Sequence, residues 1–162
     1  MGAAALLIRP ATAADIEAVR ALLRETWHQV YDPIIGREAV DEVCARWHAP
    51  ALFAGQLDAP RSSFLVACDD HLLVAHGFAY MSDTTTLVVS RLYVQPSHQR
   101  QGIGRRILAT FSARHAAATT VRLFAAADNA RGVAFWRNEG FTTFGEGMEE
   151  GARVLYMEKR SG

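Results

Sequence analysis

Apolar and polar positions in the first third of the chain follow a strand-like pattern and then a helix-like one. Residues 5–9 form a short apolar run that predicts a first strand. Thr12 and Asp15 form a helix-start signal, because each side chain can bind the backbone N–H of the other. The helical face that follows carries Ile16, Val19, Leu23, Trp27 and Val30. Pro33 breaks this pattern and predicts its end.

A second helix is predicted between two breaks in the pattern. It runs from about Arg37 to Trp47, and its inward-facing positions are Val40, Val43, Cys44 and Trp47. Pro50 and Pro60 then bracket a stretch that we predict to be irregular.

The middle of the chain predicts consecutive strands. They are Ser63 to Cys68, Leu72 to Met81 and Thr84 to Val94. Asp69-Asp70 supplies a turn, so the first two strands are expected to form an antiparallel hairpin.

In the last third, helices and strands alternate. The predicted elements are a helix over 103–117, a strand from Val121 to Ala126, a helix from Asn129 to Asn138 that ends at Gly140, and strands from Phe141 to Phe144 and Val154 to Glu158. The order β-α-α-β-β-β-α-β-α-β-β predicts an α+β protein with a mixed sheet. Neither a repeat nor an interdomain linker is evident, so residues 1–162 are expected to form one domain.

Composition and charge narrow the class of protein. Half of the residues are apolar, which indicates a folded globular chain. The formal net charge is zero, which argues against a nucleic-acid binder held by a basic face.

The cysteines, histidines and N-terminal residues exclude further classes. Two cysteines, Cys44 and Cys68, do not make a disulfide framework. The six histidines lack metal-ligand spacing, so no metal is expected. The stretch from Met1 to Arg9 lacks a basic leader region and is too short to span a membrane. We therefore expect a cytoplasmic protein without a membrane partner.

The strongest chemical signal lies between the strand that ends at Val94 and the following helix. It is the loop Gln99-Arg100-Gln101-Gly102-Ile103-Gly104. The first turn of a helix has unpaired N–H groups and the positive end of the helix dipole, so this position attracts phosphate. Arg105 and Arg106 add positive charge. The loop lacks the Lys-Ser/Thr of nucleoside-triphosphate loops and the third glycine of dinucleotide loops.

The pattern Gln-x-x-Gly-x-Gly after Leu92-Tyr93-Val94-x-Pro96 resembles motif A of the GNAT superfamily, the Gcn5-related N-acetyltransferases. The resemblance covers nearly the whole chain. It implies the GNAT fold, with a mixed, mostly antiparallel sheet of about seven strands and about four helices. It also implies that residues 99–105 hold the pyrophosphate of acetyl-CoA, and that the main chain at Leu92 to Val94 polarises the thioester carbonyl.

The stretch from Asp128 to Phe141 is similar to motif B of the same superfamily. Asn129 is a helix N-cap candidate, and the resemblance implies that it also binds the pantetheine or phosphate arm. Trp136 stands where relatives usually have the tyrosine that acts as acid, and an indole N–H does not titrate usefully. We expect Trp136 to contact the pantetheine.

The usual base is also missing. Val88 and Ser90 occupy the strand positions where many relatives carry a glutamate. His76, on the neighbouring predicted strand, is the best remaining titratable candidate for this role.

The acceptor is the least defined part of the predicted site. The stretch from Thr26 to Tyr31 looks like the branch of small GNAT enzymes that acetylate polyamines, and it implies that Trp27 and Tyr31 contact the acceptor. Nearby carboxylates are Asp32, Glu38, Asp41 and Glu42. The sequence thus predicts acetyl transfer from acetyl-CoA directly to a small-molecule or peptide amine, and leaves a homodimer open. The alternative is a non-catalytic acyl-CoA-binding or sensing module.

Overall fold

The computed structural model describes residues 5–161. Residues 1–4, on which part of the expectation about a leader rests, lie outside this range. Seven strands form one sheet in the described chain. They are β1 (Leu6–Pro10), β2 (Ser62–Asp69), β3 (Leu72–Met81), β4 (Thr86–Val94), β5 (Thr120–Ala126), β6 (Thr142–Glu149) and β7 (Ala152–Arg160).

Five α-helices accompany the sheet in residues 5–161. They are α1 (Ile16–Ile35), α2 (Arg37–Trp47), α3 (Pro50–Leu57), α4 (Ile103–Arg114) and α5 (Ala130–Asn138). Short 3₁₀ turns at Ala13–Asp15 and Pro96–His98 precede α1 and the loop before α4.

The strand order is β1-β2-β3-β4-β5-β7-β6. In the described chain, β4 and β5 are the parallel pair and the other neighbours are antiparallel. The helix α4 supplies the long crossover that a parallel pair requires. The predicted mixed, mostly antiparallel sheet of about seven strands is confirmed.

The sheet buries apolar side chains on both faces. On one face, α4 and α5 cover a core that includes Leu65, Val89, Ile107 and Phe111. On the other face, α1 and α3 cover Phe53, Phe64, Val66 and Phe78. We call these the α4 face and the α1 face.

The prediction of an irregular stretch between Pro50 and Pro60 is wrong, because residues Pro50–Leu57 form α3. Pro50 is the first helical residue, where its missing N–H has no cost. Phe53 anchors the helix, since its side chain is fully buried against the sheet.

Two further details differ from the prediction. Pro33 lies inside the last turn of α1, which continues to Ile35 and ends at Gly36. So close to the end of the helix, the proline removes few backbone hydrogen bonds, and the helix therefore continues past it. Trp47 does not face the core: it is half exposed, and its Nε1 donates to Glu150 Oε1 at 2.7 Å.

Candidate functional site

The parallel strands β4 and β5 separate to form a gap. They pair only between Thr86–Val88 and Thr120–Arg122. Beyond Val88 the two strands are not paired, and β4 carries a bulge at Ser90, where its register with β3 shifts by one residue. Bulges bend a strand and interrupt its ladder. The bulge and the loss of pairing leave one edge of β4 open from Val89 to Val94.

Backbone groups of Leu92 and Val94 point into this gap. Gln95 donates its N–H to the carbonyl of Val74 on β3 at 2.8 Å. Because antiparallel ladders alternate, the N–H groups of Val94 and Leu92 then point away from β3, toward β5. The carbonyl of Val94 also lies on this side and accepts from Gln99 Nε2 at 3.0 Å. The sequence-predicted main chain at Leu92 to Val94 thus lines the gap, with Tyr93 between the two donors.

The loop after β4 brings the start of α4 to the same region. Gly102 is the N-cap of α4 and has φ +78°, in the left-handed region that glycine adopts without strain. The first bond back to the helix start is from Arg106 N–H to the carbonyl of Gly102. The N–H groups of Ile103, Gly104 and Arg105 are therefore unpaired, at the positive end of the helix dipole. This geometry can hold an anionic group.

The positive side chains near this helix start differ in whether they already have partners within the protein. Arg105 contacts Glu139 at 3.2 Å and Arg106 reaches the carbonyl of Leu6 at 3.4 Å. Arg100 is exposed and, like the neighbouring exposed Gln101, has no hydrogen-bond partner within the chain from residue 5 to 161. Arg100 itself has φ +64°, which indicates that the loop holds a strained turn.

Gly104 has a packing role in addition to the predicted one. A Cβ at this position would lie 3.1 Å from Cζ of Phe135 on α5. The missing side chain therefore allows α4 and α5 to approach each other, while its N–H remains at the helix start. Gly102, in contrast, has open space around its Cβ position.

The helix α5 supplies a further polar group beside the gap. Asn129 is its N-cap, since Oδ1 accepts from the N–H of Gly132 at 3.2 Å. Its Nδ2 donates to no group in the described part of the chain. Trp136, on the same helix, is partly buried between Phe135 and Phe141, with ring centroids 5.0 and 5.2 Å away. Trp136 therefore contributes to the packing of α5 against the α4 face of the sheet.

The structure argues against His76 as the proton acceptor. Its side chain is fully buried. Nδ1 donates to the carbonyl of Leu65 at 2.9 Å, and Nε2 accepts from Arg91 Nε at 3.0 Å. Burial and the Arg91 charge lower its pKa well below the ordinary value. Neither ring nitrogen is free to receive a proton from an acceptor, so His76 has a structural role.

Arg91 is a buried residue that the sequence analysis did not single out. Its guanidinium lies 4.6 to 5.5 Å from the centres of three phenyl rings and donates to Gln56 Oε1 at 2.6 Å. Burial lowers its pKa to about 10. The sequence did carry a signal for Arg91, since a charged residue inside a strand of β-branched residues is unusual. Its partner Gln56, however, lies on α3, the helix that was not predicted.

Trp27 and Tyr31 lie together on α1, as their spacing predicts. Their rings stack with centroids 4.3 Å apart, and Tyr93 of β4 lies 6.4 Å from Trp27. Burial raises the pKa of Tyr93 well above its ordinary value, and the Tyr31 phenol adds to this effect. Trp27 and Tyr31, which are predicted to contact the acceptor substrate, thus lie next to the strand that lines the gap.

The carboxylates near this aromatic group are partly used by the protein itself. His28 contacts Asp32 at 2.7 Å and Asp41 at 2.9 Å. Glu38 and Glu42 are exposed on α2. Asp32 and Asp41 are therefore tied between α1 and α2 rather than free.

The cysteines are unsuited to nucleophilic chemistry. Burial raises the pKa of the Cys44 thiol to about 11, so the thiolate is scarce at neutral pH. Cys68 is buried in the core on the α1 face.

Taken together, these elements define a class of protein. It is an α+β protein whose parallel strands open beside a helix start with unpaired N–H groups, with further backbone donors inside the opening. The chain belongs to the acetyltransferase (GNAT) domain family, whose model matches residues 31–161. The predicted family is confirmed. A search of curated protein sequences finds no match.

Solved structures share this fold. The PaiA N-acetyltransferase from Thermoplasma acidophilum, solved in complex with coenzyme A, has a TM-score of 0.86 and 20% identity, over 96% of this chain and 99% of that chain. Ard1 from Thermoplasma volcanium has a TM-score of 0.78 and 18% identity, over 97% of this chain and 98% of that chain. The yncA protein of Salmonella typhimurium, solved with acetyl-CoA, has a TM-score of 0.67 and 19% identity, over 96% of this chain and 94% of that chain.

Within residues 5–161, none of the helices combines the length and apolar character needed to cross a membrane. In the same range no group of three or more His, Cys, Asp or Glu side chains is arranged to hold a metal ion.

Proposed function

We propose that this protein transfers the acetyl group of acetyl-CoA directly to a primary amine of a small molecule or peptide. The observation that carries the proposal is the gap between β4 and β5, into which Leu92 and Val94 direct backbone N–H groups. Family membership and the relatives solved with coenzyme A or acetyl-CoA support the choice of donor.

The residues around the gap fit the shape and charge of acetyl-CoA. The unpaired N–H groups at the start of α4, with Arg100 and Gln101, would bind the pyrophosphate. The free Nδ2 of Asn129 would donate to the pantetheine or phosphate arm. The arm would lie along the open edge of β4, where backbone donors otherwise lack partners.

Acetyl transfer would rely on the backbone donors and on positioning. The amine nitrogen bonds to the acetyl carbon, the carbon–sulfur bond breaks, and one proton leaves the nitrogen. Negative charge develops on the carbonyl oxygen, where the N–H of Leu92 or Val94 would stabilise it. A direct transfer needs no cysteine, in agreement with the raised pKa of Cys44.

The missing acid and base affect this reaction unequally. A thiol with an ordinary pKa near 8.5 leaves as a thiolate at pH 7.5 for about 1.4 kcal/mol. An amine with a pKa near 10.4 must be deprotonated, which costs roughly 4 kcal/mol at that pH. Val88 and Ser90 cannot accept this proton, and His76 is buried. We propose that water in the open gap carries it away.

The acceptor would bind on the α1 face. We propose that Trp27 and Tyr31 contact it, because their stacked rings lie beside Tyr93 at the edge of the gap. Stacked aromatic rings favour a cationic amine, such as a polyamine or a peptide N-terminus. A homodimer is also part of the proposal.

The second candidate function is a non-catalytic acyl-CoA-binding module. It is favoured by Val88, Ser90 and Trp136, which replace the usual proton-transfer residues. Calorimetry with acetyl-CoA and a thiol-release assay over a panel of amines separate the two functions. Binding with turnover supports the enzyme, binding with flat rates for every amine supports the sensor, and a lack of binding contradicts both.

A further inference from the structure

The α1 face of the sheet continues onto β5, β7 and β6, where aromatic side chains are exposed. Phe124 is 55% exposed and Phe144 is 51% exposed. Tyr156 lies between them, with ring centroids 6.4 Å from Phe124 and 6.3 Å from Phe144. We call Phe124, Phe144 and Tyr156 the aromatic patch. An exposed apolar patch of this kind marks a contact surface.

Tyr156 is held in a defined orientation within the patch. A Cβ on Gly147 of β6 would lie 2.6 Å from the Tyr156 hydroxyl, so the ring crosses β6 at a glycine. The hydroxyl donates to Glu149 Oε1 at 3.0 Å. This bond raises the pKa of Tyr156. Tyr156 and Glu149 therefore form a fixed phenol–carboxylate pair at the end of the patch.

The charges on this face leave Glu149 without a cation. Glu158 contacts both Arg122 and Arg160 at 3.1 Å. For Glu149, no Lys, Arg or His within residues 5–161 comes within ion-pair distance. The patch already receives one cation of the protein, since the Arg122 guanidinium lies 5.1 Å from the centre of the Phe144 ring. A cationic ligand is thus complementary to the patch and to Glu149.

We infer that Glu149 and Tyr156, with the ring of Phe124, bind a second cationic group of the acceptor amine. This inference rests on the proposed function and deepens it. Phe124 lies on β5, which borders the gap, whereas Glu149 lies on β6. The reacting amine lies in the gap on the far side of β5, so two to three strand spacings, roughly 12–15 Å, separate it from the second group. The acceptor class is a long diamine or polyamine, or a peptide with a basic side chain.

The test compares two variants that lose the same charge on the same strand. Glu149→Gln removes the carboxylate on the α1 face. Glu146→Gln is the matched control, because Glu146 lies on the α4 side of β6 and contacts Arg153 instead. We expect Glu149→Gln to lower kcat/KM for a long straight-chain diamine about tenfold, with kcat/KM for a monoamine of equal length and KM for acetyl-CoA unchanged. Glu146→Gln should change none of these.

A second measurement separates this inference from the proposed function. Calorimetric titration of the long diamine into the protein bound to coenzyme A, which has no acetyl group to transfer, should show affinity that Glu149→Gln weakens and Glu146→Gln retains. If the wild type turns over no amine but shows this binding difference, the proposed reaction is wrong and the cation site stands. Equal kcat/KM for diamine and monoamine in the wild type, or equal diamine binding by both variants, would overturn the inference.

Discussion

Gly102 combines a left-handed backbone with open space in front of the first turn of α4. Its φ is +78°, and no heavy atom lies within 4 Å of its Cβ position. A Val side chain there costs about 1–2 kcal/mol in backbone strain. It also covers the free N–H groups that would bind phosphate. We expect Gly102→Val to weaken acetyl-CoA binding at least tenfold in calorimetry.

Gly36 offers a control with at least as much backbone strain at a distant position. It has φ +91° and ψ +152°, with equally open space, between α1 and α2. Gly36→Val should lower the melting temperature at least as much as Gly102→Val and leave acetyl-CoA affinity unchanged. Equal losses of affinity in both variants would mean that strain, not blockage of the helix start, explains the effect.

Asn129 is expected to serve two functions through two atoms. Its Oδ1 caps α5, while its Nδ2 is free for acetyl-CoA. Asn129→Ser keeps a capping oxygen and removes the amide donor. We expect the free energy of unfolding to change by less than ~0.5 kcal/mol, with acetyl-CoA affinity reduced about threefold to tenfold, as for one lost hydrogen bond. Asn129→Ala should lose the same affinity and also about 1 kcal/mol of stability. Unchanged affinity in Asn129→Ser, measured by calorimetry, would reduce Asn129 to a cap.

Among the residues of the site, the sequence predicted best those whose position follows from local backbone preferences. Gly102 and Asn129 lie where turn and cap preferences place them. His76 was misjudged because its partners, Leu65 and Arg91, come from other strands. Glu149 was not found, since the absence of a cation near it becomes visible only in the folded chain.

The helix α3 is attached to the sheet by a hydrogen bond to a buried charge. Gln56 Oε1 accepts from Arg91 Nη2 at 2.6 Å, directly before the segment of β4 that lines the gap. Hydrogen bonds to charged groups contribute about 1.5–3 kcal/mol. We expect Gln56→Ala to lower the free energy of unfolding by about this amount in chemical denaturation. Gln29→Ala, an exposed position on α1, should change it by less than ~0.5 kcal/mol. A Gln56→Ala loss as small as the control's would show that the bond contributes little.

Elements with a strong local pattern were predicted within a few residues. The helix α4 and the three consecutive strands follow their apolar periods closely. The helix α3 was missed because Pro50 and Pro60 suggest a loop, and packing of Phe53 against the sheet stabilises the helix. Strands β6 and β7 are longer than predicted, since their pairing with each other extends beyond their apolar residues.

At the scale of the whole molecule, the sheet separates two tasks. The α4 face carries the helix start and Asn129, which fit the proposed donor. The α1 face carries Trp27, Tyr31 and the aromatic patch, which fit the proposed acceptor. The gap between β4 and β5 is where the two faces meet, so the position of the opening determines where the reaction would occur. The family resemblance assigned the donor and the acceptor to different parts of the sequence, whereas their placement on two faces of the sheet, and the residues of the patch, required the folded chain.

The buried histidines on the α1 face make the stability of the whole protein depend on pH. Burial lowers the pKa of His48 to about 4, with smaller effects from Arg91 and Arg20, and lowers that of His76 well below its ordinary value. With this pKa His48 is neutral in the folded protein at pH 5.5, whereas in the unfolded chain its imidazole binds a proton below about pH 6.5, and the lowered pKa of His76 acts in the same direction. The unfolded state therefore gains protons first as the pH falls, and stability is lost between pH 7.5 and 5.5.

The expected loss over this range is about 1.4 kcal/mol for His48, and His76 adds a loss of the same sign. It is measured as the free energy of unfolding by urea at pH 7.5 and at pH 5.5. His48→Phe keeps an aromatic ring between Trp27 and Phe53 and removes one titrating group, so the difference between the two pH values should shrink by about 1.4 kcal/mol. His71→Phe changes a fully exposed histidine and should leave the difference unchanged. An unaltered pH dependence in His48→Phe would mean that His48 takes up its proton in the folded state.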